Sequence, residues 1–352
     1  MNVLATKPPP AAQMRPETAM RFGLFGSAQA KRGPSIDSAA GFHEFVDYTV
    51  ESEALGYHSS FIVEHHFTGF GQVSASLNLL TWVAARTTTL RLGTAVLVLP
   101  WHNPVLLAEQ AATIDLLSGG RLDFGVGRGY RHNEFAGFCI PMEEAEARYE
   151  EALEIITRAW TSETPFSHRG RYWNFDNIIV EPPTAQKPHP PFWVGAGSRA
   201  SIRRCVERGH SLLIDQFCSF EQVEQRLGWF REALTEAGRS FDPMQVAIAR
   251  AIHVTNDPAD KQSALDRRLA GQARTHDLAQ TPGGDNKASI MNYDDTREAN
   301  EAATLFGTPD EIAKKLERLR AMGVRYLLLN GGATTRNNIR RFAADVMPAF
   351  SS

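Results

Sequence analysis

Short apolar runs alternate with helix-period segments eight times along this 352-residue chain. That alternation constrains the fold more than any other feature. From Met20, "MRFGLF", "SSFIVEHH", "LRLGTAVLVLP", "LDFGVGRG", "FWVGAG", "SLLID", "QVAIARAIHV" and "VRYLLLN" each read as a strand, and a helical stretch follows each. In the first such stretch Phe42, Phe45, Val46, Val50 and Leu55 recur at helical spacing before Gly56 closes it. "LRLGTAVLVLP" is continuously apolar, as a strand covered on both faces must be. Eight parallel strands with right-handed crossovers close into a (β/α)8 TIM barrel, an α/β fold. An open doubly wound sheet would suit the same length, but the glycine-rich dinucleotide turn expected after its first strand is missing.

Two intervals break the rhythm. "FSHRGRYWNF" reads as a hairpin, followed by a proline-rich surface connector, "EPPTAQKPHPP". Residues 275–300, with a Gly-Gly pair and no clean periodicity, read as a long mobile insertion near strand seven. Residues 20–350 are then one barrel domain, and the proline-rich residues 1–19 a disordered leader.

Composition excludes several functions. Lys and Arg number 37 against 40 Asp and Glu, and no basic run marks a nucleic-acid surface. Cys139, Cys205 and Cys218 are too few and too scattered for a disulfide framework or zinc cluster, so no metal is expected. No apolar run approaches the roughly 20 residues that span a bilayer. A soluble, cytoplasmic protein is expected.

Barrel enzymes place their chemistry at the carboxyl ends of the strands. Strand two ends in Glu64-His65-His66. Adjacent strand residues face opposite sides, so the two histidines make a poor chelate. Either one faces the barrel mouth or both are structural. In "WVGAGSRAS", Gly195 and Gly197 allow close backbone approach, and Ser198 stands at the N-cap of the next helix, a position suited to phosphate or to plain capping. "GVGRG" adds Arg128, a guanidinium able to hold phosphate bidentately. Together these point to a phosphate-bearing cofactor. Glu150, Glu151 and Glu154 read as solvated helix charge, while Arg148 starts the fourth helix near strand four.

Taken in order, "FIVEHHFTGFG", "LRLGTAVLVLP", "GRLDFGVGRG", "PPFWVGAGSRAS" and "GTPDEIAKKLERLRAMGV" make the chain resemble the bacterial luciferase-like flavin monooxygenases, nearest the luciferase α-subunit branch. The resemblance implies a two-component enzyme that receives reduced FMN from a separate NAD(P)H:flavin reductase. With O2 as co-substrate it would oxygenate a small hydrophobic molecule through a flavin peroxide. It implies His65 as general base, Ala95-Val96 as a non-prolyl cis peptide under the flavin, and Arg128, Arg148, Ser198 and Ser201 as phosphate contacts beside Gly195 and Gly197. Phe25, Phe67 and Tyr130 would line the substrate side. Gly127 stands where luciferase α carries a reactive cysteine and Gly197 where it carries a glutamate, which implies a non-luminescent monooxygenase. A homodimer through helices two and three is expected. A deazaflavin-dependent dehydrogenase on the same barrel, or a non-catalytic flavin-binding subunit, are the alternatives.

Overall fold

The computed structural model describes residues 19–31, 33, 35–331 and 336–351, so all but Ala19 of the expected leader lies outside the described residues. Eight strands form the barrel: β1 (Arg21–Gly26), β2 (Ser59–Ile62), β3 (Arg91–Thr94), β4 (Leu122–Gly127), β5 (Phe192–Gly195), β6 (Ser211–Ile214), β7 (Val246–Val254) and β8 (Tyr326–Asn330). Each pairs in parallel with its sequence neighbours, and β8 pairs with β1 to close the ring. This is the predicted (β/α)8 topology.

Strand alternation divides the core into two layers. Phe22, Leu24, Phe124, Val126, Leu327 and Leu329 point outward against the helices. Phe61, Trp193, Leu213, Ala247, Ala249, Tyr326 and Leu328 fill the barrel. Phe61, Trp193 and Tyr326 meet edge to face at 5.7–6.4 Å. Gly93 makes room for them, since a Cβ there would sit 2.4 Å from the Phe61 ring. The buried Tyr326 hydroxyl donates to Ser59 Oγ at 2.6 Å. This plug fills the barrel interior and leaves the carboxyl-terminal mouth open.

The structure departs from the sequence reading in four places. β2 stops at Ile62, because His65 N donates to Val73 O instead of continuing the ladder. The long apolar third run splits into β3 and a two-residue strand, Leu97–Val98, around a cis peptide at Ala95-Val96. A further strand, Leu305–Gly307, pairs in parallel with the end of β7; three residues are too short to show a period. The helix Pro258–Ala279 runs through Thr275, so only 280–296 lack α-helix or strand before helix Arg297–Ala303, and within them Ser289–Asn292 form a short 3₁₀ turn. The expected hairpin is present as Phe166–Arg169 and Asn174–Ile178. Among the described residues no helix is long and apolar enough to cross a membrane.

Candidate active site

A cavity of about 1040 Å³ opens at the carboxyl ends of the strands. Phe25, His65, Ala95, Val96, Arg128 and Tyr130 line it, as do Gly195, Gly197, Ser198 and Ser201. Two residues expected there are elsewhere. Phe67, in a left-handed backbone conformation, turns outward to pack against Phe138 and is 58% exposed. Arg148 pairs with Glu144 and lies over the Tyr172 ring of the hairpin. On helix Ala145–Thr161 the cavity-facing positions are Glu146, Tyr149 and Glu150, with the two glutamates one turn apart. Of the three glutamates read as solvated charge only Glu154 is exposed, since Glu151 accepts the hairpin amides of Arg171, Tyr172 and Trp173.

Past the end of β2, three consecutive side chains enter separate hydrogen-bond systems. Glu64 is 2% exposed and accepts from His66 Nε2 (2.9 Å), His102 Nε2 (2.7 Å) and the Val98 amide (2.8 Å). Burial would raise its pKa, but the hydrogen bonds from His102 and His66 prevail and hold it at about 2. His66 is thus structural, packed on Trp101 and Phe138. His65 turns to the cavity, with Nδ1 3.0 Å from Glu134 Oε1. The same oxygen accepts the His66 amide at 2.9 Å, so it takes the His65 proton as an acceptor. Nδ1 therefore carries the hydrogen and Nε2 is the free base. Burial pushes the imidazole below its usual pKa, a tendency the Glu134 hydrogen bond opposes and Arg131 assists. Glu134 comes from the short helix His132–Gly137, which the sequence pattern did not reveal.

The opposite flank is built from β4, β5 and helix Arg199–Glu207. Ser198 and Ser201 form a reciprocal capping box at its N-terminus. Arg204 on that helix and Arg208 at its C-cap, one turn further on, reach the cavity and were missed by sequence reading. Arg128 donates to Glu146 at 2.8 Å, Arg204 to Glu146 at 2.6 Å, and Arg208 to Glu150. Three guanidiniums, two hydroxyls and a helix N-terminus are the donor chemistry of a phosphate site. Gly195 and Gly197 keep the preceding loop free of side chains, so the residues present fit a phosphate-bearing cofactor.

Residues 287–293 of the insertion supply the outer wall. Tyr293 is clasped by Asp215 and Arg226: its hydroxyl accepts from Arg226 Nη2 at 2.8 Å and donates to Asp215 Oδ2. Asn286 Nδ2 also donates to Tyr130 O at 2.9 Å, joining the insertion to the loop after β4.

A closed barrel with this polar mouth defines an α/β-barrel enzyme. The chain belongs to the luciferase-like monooxygenase family, which it matches over residues 20–326. It is 25% identical over 350 residues to the oxygenase component of the flavin-dependent trigonelline monooxygenase of Acinetobacter baylyi, covering 94% of this chain and 96% of the relative. It is 26% identical over 325 residues to the FMNH2-dependent dimethylsulfone monooxygenase of Pseudomonas putida, covering 86% and 87%. The crystal structure of monooxygenase RslO1 from Streptomyces bottropensis superposes with a TM-score of 0.78 at 27% identity, covering 94% of this chain and all of that one. The protein is thus an oxidoreductase of the monooxygenase class.

Proposed function

We propose that this protein is the oxygenase component of a two-component system, taking reduced FMN from a separate NAD(P)H:flavin reductase and oxygenating a small organic substrate with O2. The carrying observation is one cavity with a free imidazole nitrogen on one flank and a phosphate-type donor set on the other. Reduced FMN, when bound, supplies the two electrons that activate O2, so one oxygen atom enters the substrate and the other leaves as water. The chain's own residues do the rest. Arg128, Arg204 and Arg208 exchange their glutamates for the phosphate, helped by the helix N-terminus at Ser198. His65 Nε2 accepts a proton from a reacting group, while Glu134 holds the ring and stabilises the imidazolium that forms. The insertion limits access of water to the cavity.

Exposed Trp82 (52%), Leu106 (53%) and Leu117 (66%), on helices Ser76–Arg86 and Pro104–Leu117, support a homodimer through that face. The functional test is stopped-flow absorbance, mixing anaerobic protein and reduced FMN with oxygenated buffer. A transient absorbance distinct from reduced and oxidised FMN, outlasting the oxidation of free flavin, is expected. Oxidation at the free-flavin rate, with tight deazaflavin binding in parallel titrations, would replace this reading with a dehydrogenase. Failure to bind either flavin would favour a partner-subunit role.

A further inference from the structure

Arg131 follows Tyr130 in the loop after β4 and lines the cavity on the His65 flank. It is 5% exposed, yet its Nε and Nη1 have no hydrogen-bond partner. The one carboxylate in reach, Glu134, stands 4.0 Å from Nη1 and already accepts the His65 ring and the His66 amide through the same oxygen. The other acid on this flank, Glu64, is saturated by His66, His102 and Val98. A buried guanidinium with two idle N–H-bearing nitrogens is costly to leave unmatched. The phosphate-type donors do not explain it, because Arg128, Arg204 and Arg208 share Glu146 and Glu150 on the opposite flank.

Two further cations stand on the cavity wall, one on the helix Pro258–Ala279 and one in the insertion. Lys287 and Arg274 line the cavity, and among the described residues neither pairs with a carboxylate; Arg274 instead lies over the Phe70 ring, 5.1 Å from its centroid. The Asn286–Tyr130 hydrogen bond holds the insertion against this loop. Phe25, Val96 and Tyr130 add apolar and aromatic surface to the same cavity.

We propose that Arg131 anchors a carboxylate on the substrate, so that the enzyme acts on organic acids with an apolar body. The planar fork of guanidinium N–H groups matches a carboxylate bidentately, whereas a neutral amide matches it at one oxygen only. Lys287 and Arg274 would draw the acid inward from the mouth. This rests on the cavity being the active site, but its test does not depend on the flavin.

The experiment is calorimetric titration of two matched pairs, benzoate against benzamide and hexanoate against hexanamide, into protein with and without FMN. At least one acid is expected to bind roughly tenfold tighter than its amide, about 1.4 kcal/mol. Arg131→Gln should abolish that preference while the affinity for FMN changes less than about threefold. If Arg131→Gln does not fold, Arg131→Lys should weaken the acid at least fivefold and leave the amide unchanged. Equal binding of acid and amide by the unaltered protein, or a preference that survives both substitutions, would overturn the assignment. An Arg131-dependent acid preference in a protein that binds no FMN would keep the carboxylate site and discard the flavin reading.

Discussion

The two flanks of the cavity are made of the same kinds of residue, glutamates facing basic side chains, yet they differ in burial in a way that suits the two tasks proposed for them. On the His65 flank, Glu64 and Glu134 are each 2% exposed, and their partners are fixed by the backbone immediately beyond β2. On the opposite flank, Arg128, Arg204 and Glu146 are 42–50% exposed. Buried, multiply bonded groups are preorganised and expensive to disturb. Exposed pairs contribute on the order of 0–1 kcal/mol and exchange partners freely. A proton-handling group needs the first arrangement; a site that must accept and release a dianion needs the second.

That contrast breaks most sharply at His65. His65→Ala should lower kcat by roughly 10²- to 10⁴-fold, the usual loss of a general base. Reduced-FMN affinity should change by less than about 1 kcal/mol. Steady-state turnover and anaerobic fluorescence titration separate the two effects.

Glu64→Ala comes next and should act on stability. It strands two histidines and the Val98 amide, at a cost of about 3 kcal/mol measurable by urea denaturation. The pH dependence has a defined sign. Glu64 has a folded pKa of about 2, depressed from its ordinary 4.5, so its contribution is present above pH 4.5 and is lost as pH falls towards 2. His65, held below its ordinary 6.5, stays neutral in the fold while the unfolded chain takes up a proton, so stability already begins to fall below pH 6.5. Denaturant midpoints should hold from pH 8 to about pH 6.5 and then decline towards pH 3, and Glu64→Ala should flatten the acid end.

On the exposed flank the pattern reverses. Arg204→Ala should weaken FMN by about tenfold, roughly 1.4 kcal/mol, and reduce the salt dependence of binding, with stability changed by less than about 1 kcal/mol. Tyr293→Phe gives the smallest effect, about 1 kcal/mol of local stability from the hydrogen bonds to Asp215 and Arg226. Faster amide exchange across 280–296, with global stability unchanged, would show it.

The sequence carries the backbone of this site better than its polar side chains. Short apolar runs alternating with helical stretches locate all eight barrel strands, and the barrel rule then places His65, Arg128 and Ser198 at one mouth. Glu134 stays hidden because the six-residue helix His132–Gly137 is too short to display a period. Arg204 and Arg208 do carry a signal, an (i, i+4) pair running to the C-cap of the helix that Ser198 starts, matched by Glu146 and Glu150 on the neighbouring helix. Spacing within one helix reveals a shared face, whereas the identity of the opposing helix depends on tertiary packing. Arg148 misleads for the same reason, since it lies on the helix of Glu146 and Glu150 but faces the hairpin.

The most direct test of a fixed proton flank beside an exchangeable phosphate flank is a paired measurement on His65→Ala and Arg204→Ala. Each is titrated anaerobically with reduced FMN and then mixed with O2 at saturating flavin. The expected result is a clean separation: His65→Ala binds like the unaltered protein but loses turnover, and Arg204→Ala binds weakly but turns over normally once saturated. If both substitutions lowered affinity and turnover in the same proportion, the two flanks would not be distinct devices and the account would be wrong.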